Sequence, residues 1–235
     1  MLLYIIRHGE PDYENDCLTA QGREQANALA KRLAVNGLDE IYSSPMGRAL
    51  QTAAPSCELL GIGPVVEEWM SEALAWNDLS VENENGLRTW AFSCQNTKLL
   101  KNGNPSRDDW YNHPAFARCV AAKAGYERIA QCSDTFLSKL GFVRKNGIYK
   151  IRLPNEKRVA AFCHQGFGLT WLSHLLSVPP LIFWAGFDMT HSGITILYFE
   201  NNPNNYTSPR CLCHSDTSHL YKEDLPLDYN LGVKI

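Results

Sequence analysis

Two short apolar runs constrain the fold of this chain more than any other feature. Leu3-Tyr-Ile-Ile-Arg-His-Gly9 and Val159-Ala-Ala-Phe-Cys-His-Gln-Gly166 share one design, a buried-type strand that breaks at a polar, glycine-bearing end. Consecutive apolar residues suit a strand covered on both faces, as in the centre of a parallel sheet. Ligands of open α/β sheets bind beyond the carboxyl ends of such strands. Each run therefore carries an imidazole, His8 or His164, to a place where a site is expected. The glycines let the backbone turn sharply and come close to a ligand.

The intervening pattern alternates strand and helix. Thr19 is placed to cap a helix over about 20–35, with Ala26, Leu29, Ala30 and Leu33 on one face and Gly37 at its end. Asp39 to Ser43 reads as a second strand. Ser44 and Pro45 read as the N-cap and first residue of a second helix, which runs to about Leu60 and stops at Gly61. Val65-Val66 is a third strand. This order implies right-handed crossovers and a mainly parallel sheet, hence a three-layer α/β/α sandwich. Regularity fails between about 73 and 112, where Trp76, Trp90 and Trp110 fall, and that stretch reads as an insertion over the mouth of the site. Residues 113–140 look helical, 148–152 and 158–163 look like a hairpin pair, 168–176 reads as a helix and 193–199 as a strand. A polar loop is expected over 201–209, and the whole of 1–235 reads as one domain.

Composition narrows the partners. With 45% hydrophobic and 20% charged residues the chain has the makings of an ordinary buried core. A net charge of −3 without long blocks of one sign argues against nucleic-acid or anionic-membrane binding. The N-terminal apolar run is too short for a signal segment, and no later run is long enough to span a bilayer. The eight cysteines are scattered rather than framed, so reduced thiols and a cytoplasmic location are expected. Cys211-Leu-Cys-His214 has too few ligands for a tetrahedral zinc site and reads as part of a strand or loop. No metal or cofactor is expected.

Arg48 completes a cationic group. It falls in the first turn of the second helix, where free N–H groups and the helix dipole favour an anion. Arg7, Arg48, His8 and His164 could surround one phosphoryl group, because guanidinium forks match phosphate oxygens and keep their charge.

These blocks resemble the histidine phosphatase superfamily, the phosphoglycerate mutase-like family. The resemblance is carried by Leu3-Tyr-Ile-Ile-Arg-His-Gly-Glu10, Leu18-Thr-Ala-Gln-Gly22, Tyr42-Ser-Ser-Pro-Met-Gly-Arg-Ala-Leu-Gln-Thr-Ala53 and Phe162-Cys-His-Gln-Gly166, in that order. It implies a metal-independent phosphatase acting on a small phosphate monoester and releasing inorganic phosphate. His8 would be transiently phosphorylated, with Arg7, Arg48 and His164 forming the phosphate pocket. The proton donor would be Glu72, with Glu68 as the reserve. Glu72 has an equally simple reading as a solvated acid on a loop, and Glu10 and Tyr13 either line the pocket or pack the loop. A phosphoglycerate or sugar-phosphate mutase and a non-catalytic phosphate-binding module are the alternative readings. The Glu-Arg-His-Tyr-Gly run that accompanies the family's phosphoglycerate mutases is missing around Glu72. His219 reads as a satisfied polar group near the last strand, and His113, His174, His191 and His214 as structural or exposed. The three tryptophans read as packing for the insertion, with one free to touch substrate.

Overall fold

The computed structural model describes residues 1–83, 85–91, 93, 100, 106 and 108–227. The chain opens with β1 (Leu2–Arg7), followed by a small ribbon of β2 (Pro11–Asp12) against β3 (Cys17–Leu18). Helix α1 (Ala20–Ala34) starts as expected at Thr19, whose Oγ1 accepts the Gly22 N–H at 3.0 Å. Strand β4 (Glu40–Ser43) leads into α2 (Gly47–Leu60), which ends on Gly61 in the left-handed conformation. Next come β5 (Val65–Val66), a 3-10 turn over Glu68–Met70, α3 (Glu72–Leu79) and the hairpin β6 (Ser80–Glu82) with β7 (Arg88–Trp90). The second half holds α4 (Ala122–Lys139), β8 (Phe142–Lys145), β9 (Ile148–Ile151) and β10 (Arg158–Cys163). It continues through α5 (Gln165–Leu175), α6 (Pro180–Gly186), β11 (Ile194–Tyr198), β12 (Tyr206–Thr207), β13 (Arg210–Asp216) and α7 (Ser218–Lys222).

The main sheet has the order β13-β11-β1-β10-β4-β5. The pairs β1/β10, β10/β4 and β4/β5 are parallel, whereas β11 and β13 join on antiparallel, so the sheet is mainly parallel. Period-two alternation splits the buried strand residues between two cores. Ile6, Ala160 and Phe162 pack with Leu29, Leu33 and Ala53 of α1 and α2. Leu3, Ile5, Val159 and Ala161 pack on the other side with Phe136 of α4 and with Phe167 and Trp171 of α5. That is the expected three-layer α/β/α sandwich.

Several local expectations are corrected. Helix α2 begins at Gly47 with Met46 as its N-cap, not at Ser44-Pro45. The Ser44 hydroxyl is instead 2.8 Å from Nε2 of His164, and the Asp16 carboxylate, from a distant loop, takes the Gly47 N–H. The pair expected from 148–152 and 158–163 does not form. Asn146 and Gly147, both at positive φ, make the two-residue turn that pairs β8 with β9, and β10 enters the main sheet. Residues 113–140 are helical only from Ala122, after 3-10 turns over Trp110–Asn112 and Pro114–Phe116. The stretch 73–112 is not wholly irregular, since it contains α3 and the β6/β7 hairpin, both too short for a periodic signal. Part of that stretch, with Cys94, lies outside the described residues. The loop expected over 201–209 includes β12, while Cys211–His214, read as part of a strand or loop, lies in the edge strand β13. Among the described residues no helix is long and apolar enough to cross a membrane, and the seven cysteines are free.

Two glycines hold the loop after β1 against α1. A Cβ on Gly9 would lie 2.7 Å from the Gly22 carbonyl oxygen, and one on Gly22 would lie 2.1 Å from the Glu10 carbonyl oxygen. Both neighbours are backbone and cannot rotate away. Gly22→Ala should therefore lower stability by roughly 1–3 kcal/mol through overpacking, outweighing the gain of about 1 kcal/mol that alanine brings inside a helix. Urea unfolding checks this; a stabilised variant would mean the loop is not seated there.

Candidate active site

The parallel register Arg7↔Cys163 puts the next residues, His8 and His164, side by side beyond the strand ends. Their ring centroids are 5.1 Å apart. Arg48, from the first turn of α2, donates from Nε to His8 Nε2 at 3.3 Å, and its Nη1 pairs with Asp16. Arg7, His8, Arg48 and His164 are all buried, at 5% exposure or less. The four residues expected to form one cluster therefore do so.

The hydrogen bonds assign the His8 tautomer. Nδ1 lies 2.7 Å from the Gly9 carbonyl, which can only accept, so Nδ1 carries the proton. Nε2 then holds a lone pair, as its role as acceptor from Arg48 also requires. Burial, with His164 and Arg7 close by, drives the His8 pKa well below 6.5. Burial and the two arginines do the same to His164. Both rings are thus neutral at pH 7. His164 Nδ1 is buried without a hydrogen-bond partner among the described residues.

A cavity of about 440 Å³ opens on this cluster, within the range of small-molecule sites. Arg7, His8, Arg48 and Glu72 line it, while His164 lies fully buried behind the lining. Glu72 begins α3, and its two carboxylate oxygens accept the Gly166 and Phe167 N–H groups of α5 at 3.0 and 2.9 Å. Burial raises its pKa, against these N–H groups and the arginines, which lower it. Glu68 is exposed on its 3-10 turn and does not line the cavity. Tyr13, Trp76 and Trp90 do line it; Glu10 does not, its carboxylate accepting from the Thr19 hydroxyl at 2.8 Å. Trp110 is buried against Trp184, so it packs the core. Among the described residues no group of three His, Cys, Asp or Glu could hold a metal ion.

The family model of the histidine phosphatase superfamily (branch 1) matches residues 3–210. This chain belongs to that superfamily. It is 35% identical over 222 residues, 91% of its length and 97% of the relative's, to a Hydrogenobacter thermophilus protein named "Putative phosphoserine phosphatase 2". The fold is also that of an Entamoeba histolytica phosphoserine phosphatase solved with 3-phosphoglyceric acid (TM-score 0.61, 21% identity, 93% and 98% of the two chains). A mycobacterial glucosyl-3-phosphoglycerate phosphatase solved with inorganic phosphate is similar as well (TM-score 0.57, 17% identity, 93% and 98%).

In this histidine phosphatase chain the loop before β11 carries residues that sequence reasoning missed. His191, expected to be structural or exposed, has its Nε2 2.8 Å from Nη2 of Arg7 and its ring 5.7 Å from that of His8. The Met189 carbonyl accepts from Arg7 Nη1, and the Ser192 N–H donates to the His8 carbonyl at 3.0 Å. Ser192 sits at φ +56°, the left-handed region that costs a non-glycine residue energy. Its hydroxyl is 2.9 Å from Nε2 of the buried His219, so His219 braces this loop from α7. No motif marks these residues. Burial pushes the His191 pKa down to about 3 and that of His219 down to about 4.

The sign of the pH dependence follows. Four histidines stay neutral in the folded protein but take up protons near pH 6.5 once unfolded, so stability should fall as pH drops below that value. Each contributes at most about 1.4 kcal/mol per pH unit, and the His219 share ends near pH 4. Urea unfolding of His219→Gln between pH 6.5 and 5 should show a shallower loss than the parent chain. An unchanged slope would mean His219 is already charged in the folded state.

Proposed function

We propose that the protein is a metal-independent phosphatase that hydrolyses a small phosphate monoester through a phosphohistidine at His8. The observation that carries this reading is the His8 ring itself. Its Nδ1 proton is held by the Gly9 carbonyl, and a neutral Nε2 lone pair is presented beside two guanidinium groups. The superfamily and the phosphatase names of its relatives support the reading.

In the first step the Nε2 lone pair attacks phosphorus in line with the ester oxygen. A P–N bond forms, the P–O ester bond breaks, and its electron pair leaves with the alkoxide. Arg7 and Arg48 offset the charge on the equatorial oxygens, and His164 gives its unpartnered Nδ1 to the same phosphoryl group. Glu72, whose pKa burial raises above the ordinary carboxylate value, is the acid that delivers a proton to the leaving oxygen. In the second step the Glu72 carboxylate takes a proton from water, which attacks phosphorus. Phosphate departs and His8 regains its lone pair. Small phosphate monoesters, aryl as well as alkyl, are the substrates to try.

Hydrolysis of p-nitrophenyl phosphate with EDTA present should persist, and His8→Ala should abolish it together with acid-labile labelling of the protein by phosphate. Loss of activity on chelation, or full activity in His8→Ala, would reject the mechanism. Glu72→Gln should slow alkyl phosphates by ~10²–10⁴-fold, the span of general acid catalysis, and p-nitrophenyl phosphate far less. Equal losses on both would remove Glu72 from the role of proton donor.

A further inference from the structure

The cavity extends beyond the groups needed for phosphate, and its remaining wall has a distinct chemistry. Within the described lining, Arg7, His8, Arg48 and Glu72 are all engaged in the proposed phosphoryl transfer. What remains is Tyr13, Met46, Ala73, Trp76 and Trp90, with the amide of Gln165 as the sole polar group among them besides the aromatic tips. One N–H of that amide is taken by a hydrogen bond to Asp188. Trp76 and Trp90 meet edge to face at 4.8 Å and 88°, which leaves a rigid aromatic corner.

That corner is fixed next to the phosphate cluster. A Cβ on Gly166 would lie 2.4 Å from Cζ2 of Trp90, so the indole is seated directly on the backbone of the His164-Gln165-Gly166 turn. Trp76 comes from α3, whose first residue is Glu72, so the acid and this indole stand one turn apart on the same helix. Arg88 lies over the Trp76 ring at 5.9 Å and bonds the Ser80 hydroxyl at 2.6 Å, but it does not line the cavity. Among the described lining residues no cation is left to receive a carboxylate on the leaving group.

We propose that Trp76 and Trp90 form a leaving-group subsite for a planar, aromatic phosphate ester, in preference to a small aliphatic acid. The proposal rests on the phosphatase reading of the His8 centre for its catalytic meaning, although the subsite is testable by binding alone. An aromatic ring entering the corner would bury apolar surface and meet the indoles at stacking or edge contact. A phosphorylated hydroxy acid would instead bring a carboxylate to a largely apolar wall with no further cation among the described lining residues, which is costly.

Three phosphonates, whose C–P bond cannot be hydrolysed, separate the possibilities by calorimetry: benzylphosphonate, ethylphosphonate and 3-phosphonopropionate. Benzylphosphonate should bind about tenfold more tightly than ethylphosphonate, as burial and ring contact of this kind allow. Trp76→Leu should bring that ratio toward one, and Trp76→Phe should keep most of it. Equal binding of the benzyl and ethyl compounds, tightest binding of 3-phosphonopropionate, or no binding of any of the three would overturn the subsite. An inactive protein that keeps the ratio would uphold the subsite and reject only the phosphatase reading. An active phosphatase with a ratio of one would do the reverse.

Discussion

The site depends on the parallel pairing of β1 with β10. Six consecutive pairs, from Leu2↔Arg158 to Arg7↔Cys163, fix the register, and the two histidines are simply the next residues on each strand. A slip of one residue would turn Ile5 and Ala161 from one core to the other, because side chains alternate across a strand. The two cores therefore lock the register, and the register sets the separation of the imidazoles. The spacing of the two histidines is a by-product of core packing on both faces of the sheet.

Burial then decides the chemistry of what the sheet brings together. Two imidazoles and two guanidinium groups share a space from which water is largely withdrawn, and like charges there cannot all persist. The arginines keep theirs, since a guanidinium hardly loses its proton, and the histidines yield and stay neutral. The surrounding backbone absorbs the remaining strain. Carbonyls of Gly9 and Met189 receive the His8 and Arg7 donors, and Asp16 answers Arg48 together with the Gly47 N–H at the start of α2. The same burial that keeps the His8 and His164 rings neutral makes the fold sensitive to acid.

Helix α3 packs against α4 and α5. Its first residue, Glu72, caps the N-terminus of α5 through the Gly166 and Phe167 N–H groups, and one turn later Trp76 faces the cavity. A carboxylate at that helix terminus is favoured by the free N–H groups and the dipole. The acid and the aromatic wall are consequently anchored to the same turn that carries His164.

Much of this was legible in the amino-acid sequence. Two buried strands with His-bearing ends, the Thr19 cap, Gly61 as a stop and the clustering of Arg7, His8, Arg48 and His164 all followed from local chemistry and spacing. Glu72 was a candidate, ahead of Glu68, only through the family resemblance, and its packing against α5 beside the cavity is a tertiary fact that the exposed Glu68 does not share. The brace of His191, Ser192 and His219, and the seating of Trp90 on Gly166, could not have been read from any pattern. Residues one or two apart in sequence carry their relation in the backbone, which propensity and periodicity describe. His219 lies 27 residues beyond Ser192 in the loop before β11, and its position is set by how α7, α1 and β13 pack. Such contacts arise from the sum of many burial choices across the whole fold, so only the tertiary structure could decide them.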